Sequence, residues 1–190
     1  MSLFDSIFGH TRPAPSRLDQ IFAISTAYVT MSTKLGLQST GRAGICFKPV
    51  QSSVYDEVEK DLEELLQISA KATESAISTS KDEYGFRWIV AEDPDFEDLV
   101  NTIYMVSQSL QEGNFGEQLL AAVFRFTDKD GGSVFWVYNY KRGKFYPFVP
   151  RGTGTQRDNP SELHLRSVME AELPLEPELE RWYALWGSPL

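Results

Sequence analysis

The sequence predicts an α+β domain, with a mostly antiparallel sheet and helices packed on it. Three observations carry this. Between Leu119 and Val149 three apolar, alternating segments are joined by turns of four or five residues, too short for a parallel crossover. Segments of helical spacing lie on both sides of these hairpins. Helices and hairpins do not alternate strictly, as a parallel βαβ sheet would require.

Taken in order, residues 2–9 (SLFDSIFG) place Leu3, Phe4, Ile7 and Phe8 on one face of a two-turn helix, which Gly9 can cap. Eight residues are too few for a helix that is stable alone in water. Thr11–Arg17 is a Pro-rich, extended connector. Residues 1–17 thus form an arm that either attaches to something or packs back, and residues 18–190 form a single domain. Leu18–Ile24 suits a short helix with Leu18, Ile21 and Phe22 on one face. Ala27–Leu35, rich in Thr, Val and Tyr, is expected as a strand. Leu37–Gly44 has Gly41 and Gly44 and is expected as a turn before a short strand, Ile45–Phe47, that ends at Pro49.

Ser52 or Ser53 can cap a helix to about Ala70 with Val54, Val58, Leu62, Leu65 and Leu66 as its apolar stripe. Its many carboxylates suit a solvated face near a helix start better than a metal site. Lys71–Ser80 is a weak strand or a loop, and Lys81–Gly85 a turn. In the strand Phe86–Val90, Phe86, Trp88 and Val90 share a face. Asp95 should cap a helix whose buried stripe is Phe96, Leu99, Val100, Ile103, Tyr104 and Leu110.

The hairpin system follows: Leu119–Thr127, Ser133–Tyr140 and Phe145–Val149. The middle strand is apolar on both faces, with Val134, Trp136, Tyr138 and Tyr140 on one and Phe135 and Val137 on the other, so it should be central. Pro147 assigns the third strand to an edge. Arg151–Asn159 is a polar loop whose glycines fit no phosphate-binding spacing. Asn159, Pro160 and Glu162 start a helix to about Glu172. Glu176-Pro177 should start a last short helix with Leu179, Trp182, Tyr183 and Trp186 as an aromatic face.

A net charge of −9 and a pI near 4.8 argue against a general nucleic-acid binder and against broad adhesion to anionic lipid. The single cysteine, Cys46, rules out an internal disulfide and reads as a small buried hydrophobe. No run reaches the roughly 18 apolar residues of a membrane span, and no signal peptide is apparent. These features suit the cytoplasm, with at most peripheral contact at the inner face of a membrane.

No catalytic motif occurs. The histidines are His10 and His164, and neither sits in a triad or metal-binding pattern. The chemically densest stretch is Tyr138–Tyr146, where Lys141, Arg142 and Lys144 surround Gly143 between aromatics. Such a spot can hold an acidic helix, a phosphate or lipid head groups, or can simply be a soluble turn protecting an edge.

The segments SLFDSIFG, GICFKPV, DEYGF, YKRGKFYPFVP and ELPLEPELERWYALWG, in this order and over essentially the whole chain, resemble the PspA-associated protein PspAB family of phage-shock systems. The resemblance implies association with a PspA-like coiled-coil protein of the membrane-stress response and brings no established enzymatic activity; no cofactor is expected. It brings no list of functional residues. From this chain alone, the candidate partner-binding residues are Lys141, Arg142, Lys144, Tyr146, Trp182 and Trp186. Leu3, Phe4, Ile7 and Phe8 form a candidate arm for a membrane or a partner. The expected function is a non-enzymatic adaptor. The alternatives are an enzyme with a pocket between sheet and helices and a peripheral lipid binder. At the level of fold alone the layout is similar to secretion-chaperone domains, many of which dimerise, so a homodimer is a further alternative.

Overall fold

A computed structural model describes residues 17–48, 75–152 and 154–190, together with Glu64. The expected arm at 1–17, apart from Arg17, and the expected helix at 52–70, apart from Glu64, lie outside the described residues. So does the turn of the strand Ile45–Phe47 into Pro49.

Among the described residues six strands form one antiparallel sheet: β1 (Gln38–Phe47), β2 (Ala76–Lys81), β3 (Arg87–Glu92), β4 (Leu119–Thr127), β5 (Ser133–Asn139) and β6 (Lys144–Phe148), in the order β2-β3-β1-β4-β5-β6. With helices packed on it, the sheet makes an α+β fold. A two-residue ladder, β7 (Pro150–Arg151) with β8 (Gln156–Arg157), organises the polar loop. Among the described residues three α-helices, α1 (Ala23–Lys34), α2 (Phe96–Glu112) and α3 (Asn159–Met169), lie on one face of the sheet.

β5 is not at the centre of the sheet but next to its edge, yet it is covered on both faces as its pattern demands. Val134, Trp136 and Tyr138 of β5, with Tyr140 just beyond, enter the core under the helices. Phe135 and Val137 enter a second apolar cluster on the opposite face. Pro147 lies on edge strand β6, opposite Trp136 of β5, where its missing N–H breaks no inner ladder. Asp95 caps α2 as expected, its carboxylate accepting from the N–H groups of Glu97 (2.8 Å) and Asp98 (3.2 Å).

Four further expectations are corrected. Ala27–Leu35 is not a strand but most of α1. Its β-branched residues favour a strand, yet Ile24, Ala27 and Met31 recur at helical spacing and are fully buried, so packing decides. Leu37–Gly44 is not a turn but the first part of β1. Gly41 serves a bulge, where the register against β4 shifts between Ser39 and Ala43, and its φ is +69°. Gly44 admits Trp88 and Leu190, each about 3.3 Å or less from where a Cβ would stand. The helix from Asn159 is capped by Asp158, which accepts from Ser161 N–H, and it ends at Met169 rather than Glu172. The expected aromatic helix after Glu176 is a single 3-10 turn, Leu179–Arg181, inside an otherwise irregular strap.

Gly41 gives a direct test of the bulge. A Cβ there would lie 2.8 Å from the carbonyl oxygen of Asp93, whose own N–H donates to Gly41 O. Gly41→Ala is expected to cost roughly 2–4 kcal/mol, combining the left-handed backbone penalty with a clash against backbone that cannot swing away. Gly131→Ala, at a positive φ with nothing within 4 Å, should cost about 1 kcal/mol from conformation alone. Urea unfolding of the two variants measures the difference.

Candidate functional site

The second face of the sheet carries no helix among the described residues. It is covered by the strap, residues 173–190. The strap begins as an added edge: Leu175 bridges Phe145 in parallel, Phe145 N–H donates to Pro174 O, and Glu176 N–H donates to Phe145 O. It then crosses the face. Trp182 stacks on Tyr146 with centroids 6.1 Å apart and planes 18° from parallel. Trp186 meets Phe148 edge-on at 5.0 Å. Leu190 ends over Gly44, and the guanidinium of Arg42 donates to Pro189 O at 3.2 Å.

Charged side chains fasten this strap. Arg142 donates Nε and Nη2 to the two carboxylate oxygens of Glu176, at 2.8 and 3.2 Å. Glu176 is 1% exposed. Burial by itself would raise its carboxyl pKa, but the hydrogen bonds from Arg142 and from Glu178 N–H, with the charges of Arg142 and Arg181, hold it below its ordinary value. Arg157 reaches from β8 between two elements: its Nε donates to Glu162 of α3 at 3.0 Å, and Nη1 donates to Trp182 O. Trp182 Nε1 donates to Glu176 O at 3.1 Å, and Tyr146 OH to Tyr183 O at 3.1 Å.

Between strap and sheet lies an open cleft of about 820 Å³. Its floor crosses five strands, with Trp88 of β3, Cys46 of β1, Leu120 and Ala121 of β4, Asn139 of β5 and Tyr146 of β6. Arg181 and the strap residues Tyr183–Trp186 form one wall. The β5–β6 turn closes one end with Lys141 and Arg142, and the β2–β3 turn supplies Asp82, Tyr84 and Phe86. The lining is mainly aromatic and aliphatic, with cations near one end and a carboxylate near the other. Asp82 is already engaged: it accepts from Trp88 Nε1 at 2.9 Å and from the N–H groups of Tyr84 and Phe86. Cys46 is 5% exposed, and burial, then the nearby Asp82 charge, pushes its thiol up to about 12, so it is a neutral wall rather than a nucleophile.

The sequence-derived candidates divide. Lys141, Arg142, Tyr146 and Trp186 all line this cleft. Trp182 is 5% exposed and stands behind it against Tyr146, with the Arg166 guanidinium 6.0 Å from its ring. Lys144 is half-buried in β6 opposite Asn139 and is not part of the lining. Trp182 and Trp186 share no helix face, and Tyr183 and Leu179 point outward as exposed side chains. Leu3, Phe4, Ile7 and Phe8 lie outside the described residues. Sequence reasoning missed the far end of the cleft, Asp82, Tyr84 and Trp88. Their signal was present in the Asp-Glu-Tyr-Gly turn, whose leading Asp can bind its own backbone.

Among the described residues no group of three His, Cys, Asp or Glu side chains is placed to hold a metal ion. No helix of the described residues is long and apolar enough to cross a membrane. The family model described as PspA associated protein B matches residues 1–190, the whole chain. The chain belongs to the PspA associated protein B family. That membership ties it to a PspA system, with which the family is named as associated. No curated protein and no solved structure gives a significant match to this family member.

Proposed function

We propose that the chain is a non-enzymatic binding module of a PspA system, and that its cleft receives an amphipathic helical segment of the PspA-like partner. The cleft itself carries this reading. It is lined mainly by apolar side chains, open to solvent, and cationic near one end through Lys141, beside Arg142 and Arg181, whose charges are paired with Glu176 and Glu178. An amphipathic helix laid in such a groove buries its apolar stripe, and acidic residues near one end of that stripe meet the cations. The floor spans four strand spacings, about 19 Å, which accommodates about twelve helical residues at 1.5 Å each. Against catalysis, Asp82 is the single carboxylate in the lining among the described residues and is spent on three donors. Tyr146 is buried and its hydroxyl is held well above its ordinary pKa by burial. The setting proposed is the cytoplasm, with the partner at the inner face of the membrane.

The test is partner affinity in the full chain. Leu120→Glu with Tyr84→Glu places charge on the cleft floor and rim, where Leu120 is half-buried and Tyr84 is exposed. Kd for the PspA-like partner should rise at least tenfold, about 1.4 kcal/mol. Leu163→Glu, exposed on α3 in the opposite layer, should leave Kd unchanged. Equal affinity in all three proteins would overturn the assignment.

A further inference from the structure

We infer that β2 is a docking edge for a second copy of this chain: two β2 strands pair antiparallel about a twofold axis through Thr79 and join two sheets into one. The dimer stands independently of the cleft, whereas the bivalent use drawn from it below rests on the cleft being the partner site.

The two edges of the sheet are built differently. At β6 the strap adds itself as a further strand, and Pro147 removes an N–H. β2 has neither device. Its six residues pair with β3 in unbroken register, without proline or bulge. Asp82 N–H continues that register, donating to Phe86 O at 3.0 Å. Backbone groups alternate in direction along an antiparallel strand. Ser80 and Ser78 therefore also turn theirs to β3, and Ile77, Thr79 and Lys81 turn theirs outward. Among the described residues nothing pairs with these three outward sets. Ala76 and Ser78 on one face, and Thr79 and Lys81 on the other, are exposed, so the edge is open from both sides. A flat, open edge is a template for another strand.

The side chains of this edge fit its own copy. The outward groups at 77, 79 and 81 exchange hydrogen bonds with those of a second β2 when Thr79 lies opposite Thr79. Ile77 then lies opposite Lys81, and Ser78 opposite Ser80. Facing threonines are a favourable cross-strand pair. The aliphatic stem of Lys81 covers Ile77, which packs at the border of the core under the helices. Like charges do not meet, since Lys81 faces Ile77 and Asp82 faces Ala76. The Ser78–Ser80 pair weighs most. Ser80 Oγ is buried, yet it has no hydrogen-bond partner among the described residues. Ser78 of the second copy, on the same face and about 5 Å away between Cβ atoms, supplies one.

Five paired residues make a small interface, so the association is of the weak, transient class. Its axis is perpendicular to the sheet, which leaves both clefts open on the same side. Their Asp82 ends adjoin, with the two β3 strands three spacings apart, about 14 Å. A partner that displays its segment twice is then held twice, with an avidity that one cleft lacks.

Sedimentation equilibrium of the full chain at up to about 1 mM reads association down to millimolar affinity. The mass should rise with concentration from the 21.5 kDa of one chain towards twice that value. Thr79→Lys sets like charges face to face on the axis and should abolish the rise. Thr79→Glu should do the same, and an equimolar mixture of the two variants should restore it. Thr79→Pro removes an outward N–H and should also give a monomer, with near-ultraviolet circular dichroism like the parent's. A parent of constant mass overturns the dimer. A dimer that survives Thr79→Lys and Thr79→Pro overturns this edge as its seat. Loss in both charged variants without recovery in the mixture overturns the axis through Thr79. On a surface densely coated with the PspA-like partner, Thr79→Lys should lower apparent affinity about tenfold or more. Unchanged affinity there overturns the bivalent use and leaves the dimer. Failure of Leu120→Glu with Tyr84→Glu to weaken the partner overturns the cleft as partner site, whatever the mass.

Discussion

Glu162→Ala is expected to destabilise the protein by about 3–5 kcal/mol, the range for removing one partner from a buried, hydrogen-bonded charge pair. Glu162 looks like an ordinary first-turn acid in the sequence, but it is 2% exposed. One carboxylate oxygen accepts both Val149 N–H at 2.8 Å and Arg157 Nε at 3.0 Å. Alanine leaves a buried amide without its acceptor and Arg157 without its counter-charge. Because Arg157 also holds Trp182 O and lies over the Phe148 ring, 5.2 Å from its centroid, the damage extends to the strap. Glu162→Gln should recover part of the loss, since its amide oxygen can still accept from Val149. Urea unfolding of the two variants measures both numbers, and equal stability of Glu162→Ala and the parent would remove the network from the account.

Trp182→Ala is expected to cost a similar amount, about 3–5 kcal/mol, as a large buried ring replaced by a methyl. The ring packs on Tyr146, its Nε1 donates to Glu176 O, and the Arg166 guanidinium lies 6.0 Å away. Its loss frees the strap at the point where it passes the wall of the cleft. Partner binding should therefore weaken more than stability alone explains when measured well below the unfolding transition. Trp186→Ala is the informative comparison. Trp186 is only half-buried and lines the cleft, so its truncation should cost less stability and a comparable share of affinity. Chemical unfolding and calorimetric titration of both variants separate the two contributions.

The two-faced strand at 133–140 predicted its burial on both sides and both clusters it enters, because alternation reports burial on each side, although it lies next to the edge strand rather than at the centre. Pro147 marked the edge, and Asp95 marked a helix start, through local chemistry that tertiary contacts do not alter. Where propensity and packing disagreed, as in α1, packing prevailed, and the signal lay in the spacing of Ile24, Ala27 and Met31. The glycines of β1 misled because the same residue serves turns, bulges and close approach of a neighbour.

Half of the cleft was legible. Of the candidate residues, Lys141 and Arg142 of the basic turn, with Tyr146 and Trp186, line it, whereas Lys144 does not. What local pattern cannot show is pairing across long separations. Arg142 and Glu176 are 34 positions apart, and Arg42 and Pro189 are 147 apart. Glu176 was legible only as a helix start, although its place is beneath a guanidinium.

The crossing of the strap also sets an order of assembly. The core under the helices draws its last buried residue from Leu173, whereas the opposite face waits for Trp182 and Leu190. Until Trp182 and Leu190 are in place, Trp88, Val123, Phe135 and Phe148 lack the cover that the strap gives them. The cleft has no outer wall until the strap crosses the sheet, so a chain cut before Trp182 would lose both that wall and the cover of this face.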